Sequence, residues 1–572
     1  MAYSTITAQT IYYVSTSGNN SNNGALATPF KTIQYAVNKA IAGDTIYLMT
    51  GIYNEKVKFS KSGSSGSYIT LSALSGHTPV IDGSTPAVLS PSGREGLISI
   101  VDQSYIKISG IEIRNFSGSG GNTPVGIYLE GQAHFIEITN NKVHDINGTG
   151  GAHGIATFGV SSSDAAHDLI FDGNEVYNCH LYWSEAFVLN GNVRNFQVIN
   201  NSVHDCDNIG YDFIGYEGEC SACTGATGTN VDRARDGYVG YNVAYNIDTK
   251  DNLAYGGERS AAGFYVDGGD NIIFEGNTSH DCNLGLELAS EHYGKATSNI
   301  TVRNNIFYKN HVLGISTGGY SSGTGAGGGQ ATNCIISNNT LYHNNNSTRS
   351  EDQWGAELLL QNRNINNTYQ NNIIIADNYL RVDVGSLNSG IVWNNNLFNG
   401  SNGSDIPAGG NSMFGNPGFV NATLADFNLT SSSDAIDKGY ASSSSMIGTT
   451  DFNKNSRVIG TVVDVGAIEY NSVLGLEGFI SWGSEGNSSN NTNNLFYPNP
   501  AYDQLFIQLE KGTPLVTCKI VDVTGKVWFS NIESILNSSG LVQISVLHLP
   551  PQPYLLILEF EDKMLTHSFI KK

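Results

Sequence analysis

The hexapeptide NNKVHD (140–145) returns along the chain as GNEVYN (173–178), NNSVHD (200–205), YNVAYN (241–246), GNTSHD (276–281), NNIFYK (304–309) and NNTLYH (338–343). The copies align on Asn141, Asn174, Asn201, Asn242, Asn277, Asn305 and Asn339, and Asn372 and Asn395 continue the series at spacings of 33, 27, 41, 35, 28, 34, 33 and 23 residues. Such a period describes a coil of somewhat over twenty residues into which loops of varying length are set. Short β-rich runs, Gly/Asn turns and no helical period make it an all-β solenoid, a right-handed parallel β-helix.

The columns of the repeat assign most of its polar residues to scaffold. Val143, Val176, Val203, Ala244, Phe307 and Leu341 stand two places after the Asn and point inward. His144, His204 and His280 alternate with Tyr177, Tyr245, Tyr308 and Tyr342 one place on, which reads as a stacked column rather than a metal site. Asp145, Asp205 and Asp281 share the next column with Asn178 and Asn246, as at a turn where Asx side chains bond their own backbone. Cys179, Cys206 and Cys282 share a column with Ile146 and Ile247 and read as small buried hydrophobes.

A second strand follows in each coil: GIATFG (154–159), GYDFIG (210–215), GFYVDG (263–268), GLELAS (285–290) and GISTGG (314–319). With a period of two, its second and fourth residues point inward and its third and fifth outward. Asp212, Asp267 and Glu287 occupy outward places where other coils carry Ala156, Phe158, Ser316 and Gly318. They break the column habit on three successive coils, one coil step being about 4.8 Å and two residues along a strand about 6.6 Å. Asp267 and Glu287 therefore stand roughly 8 Å apart at Cβ, within reach of either stereochemical course of glycoside hydrolysis. Crowded acids raise one another's pKa, as a general acid near neutral pH requires. Exposed acids on a sheet face are also common without chemistry, and a structural or calcium-binding role suits the same residues.

Around this trio, Tyr265, Glu291, His292 and Glu217 line a wall or extend the acidic patch, whereas Asp270 reads as a turn residue and Glu275 as an ordinary solvent-facing one. The longest spacing carries the insertion YEGECSACTGATGTNVDRARDG (216–237) beside Asp212; long loops on a rigid scaffold build binding walls. Arg235, Arg259, Tyr255 and Trp183 are candidates for sugar contact, the aromatic faces by stacking on pyranose rings.

The 572 residues carry a formal net charge of −22 and only 14% charged residues, with 66 glycines. That balance excludes nucleic acid and an anionic membrane as partners, and no apolar run is long enough to span a bilayer. Of seven cysteines, Cys220 and Cys223 form a lone C-x-x-C without the second ligand pair of a zinc site, which leaves a loop disulfide or free thiols. No metal centre is assigned; no cofactor is required, Ca²⁺ being the one ion the acids suit.

The ends of the chain carry resemblances. YYVSTSGNNSNNGALATPFKTIQYAVNKAIAGDTIYLMTGIYNE (12–55) resembles the entry to a pectate-lyase-like β-helix, with Ile33, Ala36, Val37 and Ala40 spaced as a short capping helix. DAIDKGY (434–440) and DFNKNSRVIGTVVDVGAIEY (451–470) resemble the closing segment of the same secreted proteins. This superfamily holds lyases, hydrolases and esterases, so the resemblance implies the fold and a carbohydrate-active role more than a reaction. LFYPNPAYDQLFIQLEKG (495–512) and LPPQPYLLILEFEDKMLTHSFIKK (549–572) resemble the C-terminal sorting domain of the type IX secretion system of Bacteroidetes, with Gln552 where the usual GxYxL strand has Gly. That resemblance implies a small β-sandwich, the type IX machinery as a partner, and an extracellular or cell-surface protein.

The expected organisation is a signal or tag remnant over 1–10, a catalytic β-helix over 11–472, a Ser/Asn/Gly linker over 473–494 and a sorting domain over 495–572, in a monomer. The expected activity is glycoside hydrolysis of a polysaccharide, similar to β-helical xylosidases and endo-fucanases, with Asp267 and Glu287 as the carboxylate pair and Asp212 assisting. Two alternatives stand beside it. A Ca²⁺-dependent lyase on a uronate polymer would use Lys295, Arg235 or Arg259 as base, though no Lys lies among the acids on the outward columns. A non-catalytic glycan-binding surface protein would show only column-typical residues on its exposed face.

Overall fold

The computed structural model describes residues 9–471, apart from 86–87, 89, 224–229, 353, 377–384, 386 and 401–409, and parts of 495–571 that are mostly strands. The expected linker over 473–494, and all but two residues of the expected leader remnant, lie outside the described residues. The chain divides into two compact units, Met1–Glu477 and Gly478–Lys572.

The first unit is a right-handed parallel β-helix. Its coils contribute in turn to three parallel sheets of 16, 10 and 13 strands. The lumen is filled by inward side chains such as Ile155, Phe187, Phe213, Phe264 and Leu286, each 0% exposed. The helix Ile33–Lys39 closes one end, burying Ile33, Ala36 and Val37, with the Glu55 carboxylate accepting the N–H groups of Ile33 and Gln34 at 2.9 Å.

The repeated Asn is an internal ladder. Asn242 is 0% exposed; its Nδ2 donates to Val198 O at 2.8 Å and to Asn277 Oδ1 at 3.0 Å, and its Oδ1 accepts both Nδ2 and the backbone N–H of Asn201. The same bonds run from Asn141 to Asn372 and end on Asn396. Asn396, not Asn395, is thus the last rung. Asn395 has φ 49° and occupies the left-handed position that Asn140, Gly173, Asn200 and Gly276 fill in other coils. This position explains the recurring NN and GN pairs: the first member makes the bend that only Gly and Asn adopt readily, and the second enters the ladder.

The His/Tyr column is stacked, with ring centroids 4.6, 5.2, 4.4, 5.3 and 4.8 Å apart from His144 to Tyr308. Asp145, Asp205 and Asp281 are left-handed, with φ of 52–55°, and their carboxylates engage the neighbouring His144, His204 and His280 rather than their own backbone. Asn178 and Asn246 donate across coils to Asp145 and Asp205. Cys179, Cys206, Cys282 and Cys334 are buried free thiols, and Cys220 and Cys223 form a disulfide.

Glu275 departs from the expected solvent-facing place. It is 7% exposed, paired with Arg303 at 3.0 Å and bonded to Tyr238 Oη at 3.3 Å, because the closing segment covers it: Arg303 and Asn304 donate to carbonyls of residues 444–450. Asp270 opens the strand Asp270–Glu275 and accepts from Ser298 and Asn299. In the second unit, antiparallel strands form sheets of three and four strands. No helix among the described residues is long and apolar enough to cross a membrane.

Candidate active site on the ten-stranded sheet

The ten-stranded sheet sets the register of the off-pattern acids. One outward column runs Ala156, Val188, Asp212, Tyr265, Glu287, Ser316 and Leu359. Asp212 and Glu287 thus lie directly either side of Tyr265. Asp267 stands two residues further along its strand, opposite Ala289. The three acids point away from the lumen as the period of two requires, but not into open water: Asp212 is 2% and Asp267 4% exposed. Loops rise on both sides of the strands. Residues 178–186 and 248–261 enter the sheet on one side, and 215–223, 290–296 and 318–329 leave it on the other.

Glu291 joins the floor to the exit wall. Its backbone N–H donates to Asp267 Oδ1 at 2.9 Å, and oxygens of Glu217, Asp267 and Glu291 lie within 4.8 Å of one another. Glu217, in the insertion, holds His292 Nε2 at 2.7 Å. Across the cleft, Glu185 follows Trp183 in the entry wall; its carbonyl accepts from His153 Nδ1 at 2.9 Å, and its carboxylate lies 3.7 Å from the same nitrogen. Asp212 Oδ1 is buried with no hydrogen-bond partner. Glu287 is approached by Gln361 Nε2 at 3.4 Å, an amide that also donates to Ser316 Oγ at 2.7 Å.

Burial and crowding push these carboxyls toward their neutral forms. Burial, then Glu185, Asp267 and Glu291, hold Asp212 well above the usual range. Burial, then Glu291, do the same for Asp267, although the Glu291 N–H opposes it. Glu287 rises to about 7 through burial and the Glu291 charge, and Glu185 to about 8 through burial and the charges of Glu217 and Glu291. Glu291 is itself raised, by burial and Glu217, yet its surface is exposed. The result is several acids pushed toward neutrality beside the solvent-facing carboxylates of Glu291 and Glu217, an arrangement that can give and take a proton near neutral pH.

Of the residues expected here, Asp212, Asp267, Glu287, Tyr265, Glu291, His292 and Glu217 come together. Tyr255 joins them, since the charges of Glu185, Glu291 and Asp212 act on its phenol, after burial, to raise it to about 12. Trp183 lies against Tyr255, centroids 5.2 Å apart, and is 56% exposed. The two arginines are spent on the loops. Arg235 donates to Val231 O, Arg233 O and Asn192 Oδ1 at 2.9–3.1 Å. Arg259 pairs with Asp248 at 3.1 Å and Asp352 at 3.4 Å. Neither guanidinium is left to meet a sugar. Lys295 is exposed, its ammonium 5.1 Å from the Tyr216 ring. Glu185, His153, Gln361 and Tyr320 went unread in the sequence: Glu185 and Tyr320 sit in loops outside the repeat columns, where no period marks them.

Family models match along most of the chain. "Pel9A-like, right handed beta helix region" matches residues 12–185, "Right handed beta helix region" residues 125–324, and "Secretion system C-terminal sorting domain" residues 495–572. The last marks the chain for type IX export to the cell surface or the extracellular space. Among curated proteins, the uncharacterized protein YwoF of Bacillus subtilis (strain 168) is 37% identical over 393 residues, 68% of this chain and 79% of YwoF. Pectate lyase PEL9 of Emericella nidulans is 31% identical over 144 residues, 23% of this chain and 33% of that protein. Among solved structures, pectate lyase Pel9A has a TM-score of 0.42 at 17% identity, covering 82% of this chain and 98% of that one. XylC in complex with xylose has a TM-score of 0.45 at 13% identity, covering 80% and 99%. At such identities and scores neither structure speaks to the reaction.

Proposed function

The chain belongs with YwoF to a family of right-handed β-helix proteins, and from that premise we propose that it is a secreted glycoside hydrolase acting on a polysaccharide in the cleft above Asp212, Asp267 and Glu287. One observation carries the reading: neutral buried acids stand beside an exposed carboxylate, and the strands Tyr211–Ile214, Ala262–Asp267 and Leu284–Ala289 bear no Lys or Arg to abstract a proton in β-elimination. Glycoside hydrolysis needs one carboxyl protonated and one ionised across the scissile bond. Glu287, raised to about 7, is the general acid that protonates the leaving oxygen. The anionic partner comes from the Asp267–Glu291 pair, with Glu291 as its ionised, solvent-facing member. Asp267 fixes that partner by accepting the Glu291 N–H. Asp212, itself held neutral by burial and by Glu185, Asp267 and Glu291, assists as a polar group of the floor.

A second reading rests on the oxygens of Glu217, Asp267 and Glu291, all within 4.8 Å. That spread is about the diameter of a calcium coordination sphere, so the donor set suits Ca²⁺, which when bound would neutralise a uronate carboxylate. Lys295, exposed beside Tyr216, would then be the candidate base.

Product analysis on neutral, sulfated and uronate polysaccharides, with and without chelator, separates these readings. Hydrolysis gives new reducing ends without an unsaturated-product ultraviolet signal, and Glu287→Gln, Glu291→Gln and Asp267→Asn each lower kcat by about 10³-fold or more while circular dichroism stays unchanged. An ultraviolet signal lost on chelation establishes the lyase instead. Binding without products leaves a glycan-binding protein.

A further inference from the structure

The charges facing the cleft bear on the kind of sugar it takes. Asp212, Asp267 and Glu287 form its floor, and Glu185, Glu217 and Glu291 its walls. The basic groups nearby are already engaged. Arg94 makes a two-pronged pair with Glu219 at 2.9 Å. Arg233 donates to Gly269 O, Ala296 O and Ser298 Oγ at 2.6–3.0 Å. Arg363 donates to carbonyls of Ser321, Ser322 and Gly323 at 2.7–2.9 Å. His292 is held by Glu217, and burial pushes His153 down to about 4. Lys295 remains, against the Tyr216 ring. Among the described residues, a polyanion entering this cleft would meet acids and one ammonium without a carboxylate partner, that of Lys295.

The cleft also carries exposed aromatic surface on both walls. Trp183 and Tyr255 stand on the entry side. On the exit side Tyr320 is 54% and Tyr293 52% exposed, and Tyr320 feels the charges of Glu291, Glu287 and Asp267. Between the walls, Asp212 offers a carboxylate oxygen that is buried and bonded to nothing, a group a sugar hydroxyl would satisfy. Flat apolar faces beside acceptors and donors of low charge match the two surfaces of a pyranose: its C–H face and its hydroxyl rim.

We infer that the cleft binds an uncharged glycan chain, stacked on Trp183–Tyr255 at one wall and on Tyr320 at the other, with Asp212 bonded to a ring hydroxyl between them. The inference rests on the hydrolase reading of the same cleft and narrows its substrate class. Trp183 and Tyr320 are set by coils four steps apart, about 19 Å at 4.8 Å per step, so the bound stretch spans more than one sugar ring.

The test applies the full-length Glu287→Gln variant, which slows turnover and leaves the aromatic walls intact, to a glycan array bearing neutral, uronic and sulfated chains, with calcium and with chelator. Retention is expected on neutral chains only, unchanged by chelator. Trp183→Ala and Tyr320→Ala, both at exposed positions, are each expected to weaken retention about tenfold, the scale of one stacking contact, while Leu26→Ala, exposed in the N-terminal segment, leaves it unchanged. Retention on uronic or sulfated chains alone, retention that requires calcium, no retention on any neutral chain, or full retention by Trp183→Ala and Tyr320→Ala overturns the inference. The hydrolase reading fails separately, if a neutral chain is bound as expected and the wild-type protein releases no reducing ends from it.

Discussion

Glu287 and Glu291 are four residues apart in sequence and differ in environment, one set in the sheet and the other on the exit wall with its surface exposed. That contrast fixes the pH dependence. With Glu287 acting as acid at about 7, kcat falls as pH rises through that value, and the limb disappears in Glu287→Gln; a pH-rate profile checks it. Stability follows the same groups with a definite sign. A carboxyl raised on folding favours the folded state fully below its unfolded pKa and loses that contribution as pH rises through its folded pKa. For Glu287 the window runs from 4.5 to about 7, and for Glu185 from 4.5 to about 8. Thermal melting is therefore expected to decline between these values, and Glu185→Gln, keeping shape without charge, to flatten the decline and melt higher at pH 8. The sequence exposed Asp212, Asp267 and Glu287 because they broke a column. It hid Glu185, because a loop has no column to break, and it could not tell that Arg235 and Arg259 spend their guanidinium groups on backbone carbonyls and acids.

At the scale of the coil, the ladder and the left-handed position beside it divide the work between two residues. The rung is buried and fully bonded, so Asn242→Ala strands both donors of Asn201 and removes the donor to Val198 O and Asn277 Oδ1; the expected cost is about 3 kcal/mol, which equilibrium denaturation checks. At the exposed left-handed site Asn178, Gly adopts φ 53° without strain, and Asn178→Gly is expected to stay within about 0.5 kcal/mol. The repeat was legible because its apolar and Asn columns carry a fixed phase. Its last rung was misplaced by one, since in WNNNL (393–397) three asparagines in a row satisfy the motif in two registers and only the bend at Asn395 decides. Glu275 was misjudged for a different reason: the closing segment that covers it, bonded to Arg303 and Asn304, comes some 170 residues later, beyond what local alternation reports.

For the whole molecule, the division into Met1–Glu477 and Gly478–Lys572 predicts that export and the proposed hydrolysis are separable. Ending the chain after Asn471 is expected to leave kcat/KM and the main melting transition unchanged, while the protein stays inside a type IX secreting host; fractionation and assay of the recombinant form check both halves. The ladder has one more consequence. Its rungs keep one geometry while the stretches between them vary from 24 to 41 residues, and the surplus goes into the loops that form the walls. Insertions and deletions there leave the acids of the floor in place. A lineage built on this frame is free to change what it grips by editing loop length, without disturbing the floor beneath.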